Sequence, residues 1–391
     1  MKYNFDKVID RSGTSAEKVE GLKHIWGRTD LIPLWVADMD FATAPFVTDA
    51  IRKRCENEVL GYTGKPDSYY NAIINWVKQR YDLVVAKEMI NFVPGIVPGI
   101  GMAMNCFTQK GDKVMIQPPV YHPFAWVTTR NERTLVINPL KWENGMYRMD
   151  LDAFRELIKG CKLFILCNPH NPGGVVWTEA ELRAIADICY DEKVLVFSDE
   201  IHADLTLPPH THRPFATVSE KARMNSVTFM SPSKAFNMPG LSASHALIFN
   251  EDLRKRFRIY MDAGELDMGH VFAFLSVEAA YSHGTEWLDQ CLAYIQGNID
   301  FVDDFLKNHA PKIKAIRPEA SYLVWLDCRE LELSQKDLNE FFVDKAHLAL
   351  NDGEMFGKEG IGFMRLNVAS PRCIIEKAMK QLADAYQLYI K

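Results

Sequence analysis

No stretch of the chain approaches 18 uninterrupted apolar residues, so nothing in it reads as a membrane-spanning helix. Positive charge is not in excess. Against 51 Asp and Glu stand 45 Lys and Arg, and a net charge of −6 argues against a nucleic-acid partner, which calls for a basic face. The eight cysteines (55, 106, 161, 167, 189, 291, 328 and 373) form no C-x-x-C pair. Several lie in apolar runs, and in a chain of this size they read as reduced core thiols rather than a disulfide frame. Metal-ligand spacing is equally thin: "PPHTHRP" puts His210 two residues from His212, but no Cys or Glu cluster joins them. An exposed loop is expected there, and no metal. The start "MKYNFDKVIDRSG" has no apolar signal region, so a cytoplasmic protein is expected. There is no internal repeat, no Ser/Gly linker and no low-complexity run.

What is present is a chain of 391 residues, long enough for two domains around a large core. Its middle alternates short apolar runs with amphipathic segments: "KVMIQ", "TLVIN", "KLFILC", "VLVFS", "SVTFM" and "SHALIF". Runs of this length suit strands covered on both faces. Between two of them Thr178 and Glu181 form a capping box, and Leu182, Ile185, Ala186 and Cys189 follow at helical spacing. Strand, helix, strand at this rhythm predicts a mostly parallel α/β sheet sandwiched by helices, with ligands at the carboxyl ends of its strands. After about residue 284 the rhythm changes: a long helical stretch (roughly 284–309), then "SYLVWLD", "FFVDKAHLAL", "GFMRLNVA" and a last helix led by Ser370 and Pro371. This predicts a smaller C-terminal α/β domain. The expected division is an N-terminal segment (1–45) packing with the small domain, a large domain (46–285) and the small domain (286–391).

Three strand ends carry the chemistry. "CNPHNPGG" (167–174) forces a tight loop that presents the amide of Asn171. "VFSDEIH" (196–202) ends a strand on Asp199, where a buried carboxylate needs a cationic partner; Glu200 beside it reads as a helix cap or an exposed turn. "MSPSKAFNMPG" (230–240) ends a strand on Lys234, one residue after Ser233 and three after Ser231. A desolvated lysine amine is a nucleophile towards aldehydes, a carboxylate keeps a pyridine nitrogen protonated, and an amide steadies a phenolate-type oxygen. Hydroxyls, together with a Gly/Pro loop opening a helix, "FVPGIVPGIGMAM" (92–104), suit a phosphate. Together these describe pyridoxal 5′-phosphate (PLP).

The ordered set "NPHNPGG", "SDEIH" and "SPSKAFNMPGL" closely resembles the fold-type-I PLP enzymes, the aspartate-aminotransferase superfamily, along essentially the whole chain. The resemblance implies that Lys234 forms the Schiff base with the cofactor and later acts as base, that Asp199 pairs with the pyridine nitrogen, and that Asn171 meets the ring oxygen. It also implies that Ser231, Ser233 and the loop Gly95, Ile96 and Val97 hold the phosphate, and that Tyr121 of "PPVYHPF" stacks on the ring and acts with Lys234. Tyr62 of "LGYTG" would reach a neighbouring subunit's phosphate in a homodimer, and Arg365 of "GFMRLN" would take the substrate α-carboxylate. Two positions depart from the wider pattern: His202 replaces a tyrosine against the cofactor, and Ser242 replaces a phosphate-gripping arginine. With "PLWVADMDF" at 33–41, these departures match the branch containing cystathionine β-lyases.

The reaction implied is β-elimination from L-cystathionine or a related cysteine S-conjugate. Transamination uses the same lysine and ring partners, so the residues alone leave it open. A regulatory binding protein that kept the fold is a further alternative, against which the intact lysine, carboxylate and amide argue. No second arginine marks a dicarboxylate pocket, and Trp35 with Tyr121 is expected to accept an apolar or thioether tail.

Overall fold

The six apolar runs do pair into one sheet. A computed structural model describes residues 3–389. Its large sheet has seven strands: β1 (Ile90–Val93), β2 (Lys113–Ile116), β3 (Thr134–Ile137), β4 (Cys161–Cys167), β5 (Leu195–Asp199), β6 (Ser226–Met230) and β7 (Ser244–Leu247). Their spatial order is β1-β7-β6-β5-β4-β2-β3. β3, β2, β4, β5 and β6 run parallel, and β7 is antiparallel to both of its neighbours. The central strands are buried on both faces, as continuous apolar sequence requires.

Five helices matter to the site: α1 (Ile96–Phe107), α2 (Pro123–Arg130), α3 (Glu179–Asp191), α4 (Thr285–His309) and α5 (Arg372–Tyr389). α3 starts with the expected capping box and buries Leu182, Ile185, Ala186 and Cys189. α5 buries Ile375, Ala378, Met379 and Leu382 at helical spacing along one face.

A second sheet has four strands, β8 (Lys314–Ile316), β9 (Leu323–Asp327), β10 (Asn351–Asp352) and β11 (Phe363–Asn367), in the order β8-β9-β11-β10, all antiparallel. "FFVDK" within "FFVDKAHLAL" is a turn of wide helix rather than strand. Only Leu348–Ala349 is extended, and it pairs in parallel with Ile32–Pro33. Residues 33–41 then run between the two sheets. Asn367 Nδ2 of β11 donates to the carbonyls of Val36 and Asp38 (both 2.7 Å). From the other side Asn237 accepts from Met39 N–H (3.0 Å) and donates to the Met39 and Phe41 carbonyls (3.0 and 2.7 Å). The stretch is further anchored by Lys18, which is fully buried with Nζ 2.8 Å from an Asp40 oxygen, and by Arg11, 2.6 Å from Asp38.

All eight cysteines are unpaired, and five of them are buried. Among the described residues no helix is long and apolar enough to cross a membrane.

Candidate active site

Parallel strands leave open backbone ends on one side of a sheet, where connecting loops gather ligand groups. At the carboxyl ends of β4, β5 and β6 lies a cavity of about 210 Å³. Lys234, Asp199, Asn171, His202, Tyr121, Ser233 and residues 95–97 all line it, with Ala37 from the crossing stretch. Side chains nearly two hundred residues apart in the chain therefore meet in one chamber.

Lys234 is held there by its neighbours. Ala235, Phe236 and Met238 are buried, fixing the loop, while the Lys234 amine points into the chamber and donates to the Ala37 carbonyl at 2.5 Å. Burial lowers its pKa to about 8; the charges of Asp38 and Asp199 work against that fall, and Arg365 adds to it. Tyr322 Oη donates to the same Ala37 carbonyl at 3.0 Å.

Asp199 ends β5 with 4% exposure, and its carboxylate accepts one hydrogen bond, from Ile201 N–H at 3.1 Å. Burial pushes its pKa up to about 7, and neighbouring Glu200 adds to the rise. Beside it His202 is buried and its Nδ1 has no partner; burial drops its pKa to about 3, so the ring is neutral.

The end of the cavity at residues 95–97 offers neutral donors. α1 has Gly95 as N-cap with no side-chain cap, so the N–H groups of Ile96 and Val97 are left for an anion. Gly95 has φ +156°, and a Cβ there would stand 3.3 Å from Pro98 Cδ. Ser233, Ser242 and Ser244 line the cavity, but Ser231 does not. Its hydroxyl donates to the Ala243 carbonyl (2.7 Å) and accepts from Ser233 N–H (3.1 Å), so it shapes the lysine loop instead.

Arg365 on β11 is fully buried, and among the described residues no carboxylate pairs with it. It donates to Asn171 Oδ1 (3.1 Å), the Trp35 carbonyl (3.1 Å) and Asn351 Oδ1 (2.5 Å), while its Nε–H has no acceptor. Burial pulls its pKa down to about 10. A buried cation held only by neutral groups is a built receptor for an anion. With its Oδ1 facing Arg365, Asn171 keeps its NH₂ for another acceptor.

Three further expectations need correction. Trp35 contributes its carbonyl, not its ring: the indole packs on Trp26 and donates to the Lys18 carbonyl (3.0 Å), away from the cavity. His212 is not in an exposed loop, nor is Glu200 at an exposed turn. Both are buried and meet at 2.8 Å, and Glu200 also accepts from Ser198 Oγ and Phe215 N–H (2.8 Å each), pinning residues 212–215 beneath Asp199. Tyr62, expected at a neighbouring subunit's site, is 98% exposed and lies outside the cavity of its own chain. Sequence reasoning missed Asn351, which meets Arg365 through strand pairing, and Asn237 and Tyr322, whose partners lie far along the chain.

The donor set fits the expected cofactor: an amine for an aldehyde, a carboxylate for a ring nitrogen, an amide for a ring oxygen and an uncapped helix start for a phosphate. The profile of the family "Aminotransferase class I and II" matches residues 29–382. The chain belongs to that family. Within it, the chain is similar to cystathionine beta-lyase PatB of Bacillus subtilis, 38% identical over 98% of this chain and 99% of the relative. Two solved structures are close in shape. A PLP-bound putative aminotransferase of Clostridium difficile has TM-score 0.96 and 40% identity over 98% of this chain and all of that one. The PLP-bound C–S lyase of Staphylococcus hominis has TM-score 0.91 and 35% identity over 99% and 98%.

Proposed function

We propose that this protein is a PLP-dependent carbon–sulfur lyase that splits L-cystathionine or a related S-substituted cysteine into pyruvate, ammonia and a thiol. The observation that carries it is the buried Lys234 amine, in one chamber with Asp199 and Asn171, while the unpaired Arg365 sits against Asn171. The choice of elimination over transamination is supported by the full-length likeness to a cystathionine beta-lyase and a C–S lyase.

Pyridoxal phosphate, when bound, supplies an aldehyde carbon for amines and an electron sink for the pair left at the substrate Cα. Asp199 would hold a proton at the ring nitrogen, Asn171 Nδ2 would donate to the ring oxygen, and the Tyr121 ring would pack against the cofactor ring. Ile96 and Val97 N–H with Ser233 bind the phosphate. Arg365 binds the substrate carboxylate and fixes the Cα–H bond against Lys234. Lys234 Nζ, neutral above about pH 8, takes the Cα proton. The Cβ–S bond then breaks with its electron pair going to sulfur, which leaves as thiolate. Water completes the release of pyruvate and ammonia.

The loaded protein is expected to release pyruvate and thiol in equal amounts from L-cystathionine with no 2-oxoacid present. Pyridoxamine phosphate accumulating without pyruvate would make it an aminotransferase instead.

The working unit is a homodimer in the cytoplasm, where unpaired thiols persist. Val59, Leu60 and Tyr62 are 73%, 60% and 98% exposed on one loop, an apolar cluster suited to a second copy, whose chamber Tyr62 would reach. Tyr62→Phe is then expected to weaken cofactor binding about tenfold, the worth of one charged hydrogen bond. A protein that is monomeric by sedimentation, or one indifferent to the change, would exclude this.

A further inference from the structure

Beside the cofactor chamber opens a second groove of about 490 Å³. One wall is the carboxyl end of β2 and β3 with α2, the other the turn at 354–359. It touches the active site at two points. Tyr121 lines the chamber, and the next residue, His122, lines the groove. Phe356 is a buried ring between them: the Arg365 guanidinium lies 4.8 Å over it, and it lines the groove with His122 5.7 Å away. The groove therefore lies next to the chamber, one ring's thickness from Arg365.

Its lining has two characters. Trp126, Ile137 and Met355 leave apolar surface uncovered, at 45%, 37% and 38% exposure. Two buried polar atoms in its walls have no partner, His122 Nδ1 and Glu359 Oε1. An unpartnered buried carboxylate oxygen is costly and calls for a donor, best a cationic one. Burial keeps His122 neutral, with its pKa near 4, so it cannot supply that charge, and Lys358 of the same lining forms no ion pair among the described residues.

We propose that this groove is the leaving-group subsite, in which the apolar wall takes the methylene chain of the departing thiol and Glu359 takes a distal ammonium. The inference rests on the lyase reading and sharpens it. The favoured substrates are thioethers whose far end is itself an amino acid, rather than plain S-alkyl cysteines.

A cycle over enzyme and substrate tests this. Wild-type and Glu359→Gln holoenzymes are assayed with L-cystathionine, with S-(3-carboxypropyl)-L-cysteine, which lacks only the distal ammonium, and with S-methyl-L-cysteine. The variant is expected to lose about tenfold in kcat/KM on cystathionine, through KM, as one charged hydrogen bond implies. It should leave the other two substrates unchanged. Ala125→Phe, which fills the groove, should impair both long substrates and spare S-methyl-L-cysteine. Equal losses on all three substrates, or none, would overturn the subsite while leaving the lyase intact. If the wild type released pyruvate from none of the three, the lyase reading itself would fall, and the subsite with it.

Discussion

Lys234→Ala is expected to lower pyruvate release from L-cystathionine by about a thousandfold or more, within the range for loss of a positioned general base. Two roles end at once. Among the described residues this amine is the only lysine lining the chamber, and it is poised there by the Ala37 carbonyl at 2.5 Å. No other group in that lining both bonds an aldehyde and takes a proton from the substrate Cα. His202 is close, but burial holds it near pKa 3, too weak a base to substitute. The change should also abolish the absorbance band at roughly 400–430 nm of a protonated Schiff base. A variant that kept the band would refute the assignment of Lys234. The pH dependence of cofactor uptake gives a second check. The reactive form is the neutral amine, and burial lowers its pKa to about 8. Uptake by the unloaded protein should therefore quicken as pH rises through 8 and level off above it, whereas an ordinary lysine would keep gaining towards pH 10.

What the sequence made legible follows from range. Lys234, Asp199 and Asn171 each stand at the end of a short apolar run, so their burial and common side follow from local pattern and one rule about parallel strands. The cap of α3 and the stripe of α5 are likewise local. The groups that hold these side chains in place are not. Asn351 steadies Arg365 only because their two strands pair, Asn237 clips residues 39–41 from nearly two hundred positions away, and Lys18 is buried whole against Asp40. Nothing near Lys18 in the chain distinguishes it from a surface lysine; its partners are supplied by the fold. Glu200 and His212 show the same limit, since each alone looks like a turn residue and only their 2.8 Å contact explains their burial. The "PLWVADMDF" block, legible as a marker of one branch, also serves the site physically, because its Ala37 carbonyl receives both Lys234 and Tyr322.

Asp199→Asn should separate stability from function. In the unloaded protein the Asp199 carboxyl has its pKa raised by burial from an ordinary 3.8 to about 7. A raised carboxyl favours the folded state only while it is protonated. Its contribution is full below pH 3.8 and is lost as pH rises through 7. Above that, the ionised group burdens the unloaded fold by about 4 kcal/mol, reckoned at 1.36 kcal/mol per pH unit. Asparagine has a similar shape and no charge, so the unloaded variant is expected to melt higher than the wild type at pH 8, with the gap shrinking by more than half at pH 5. The loaded protein should behave oppositely. The protonated ring nitrogen pairs with Asp199, which offsets the cost of burying the carboxylate and keeps the ring a strong electron acceptor. Asparagine cannot hold that proton, so cofactor affinity and pyruvate release should both fall, the latter by about a hundredfold or more. Thermal melts at pH 5 and 8, with and without cofactor, decide the matter. The assignment fails if the variant gains no stability unloaded at pH 8, or if it loses none of the stabilisation that cofactor confers on the wild type.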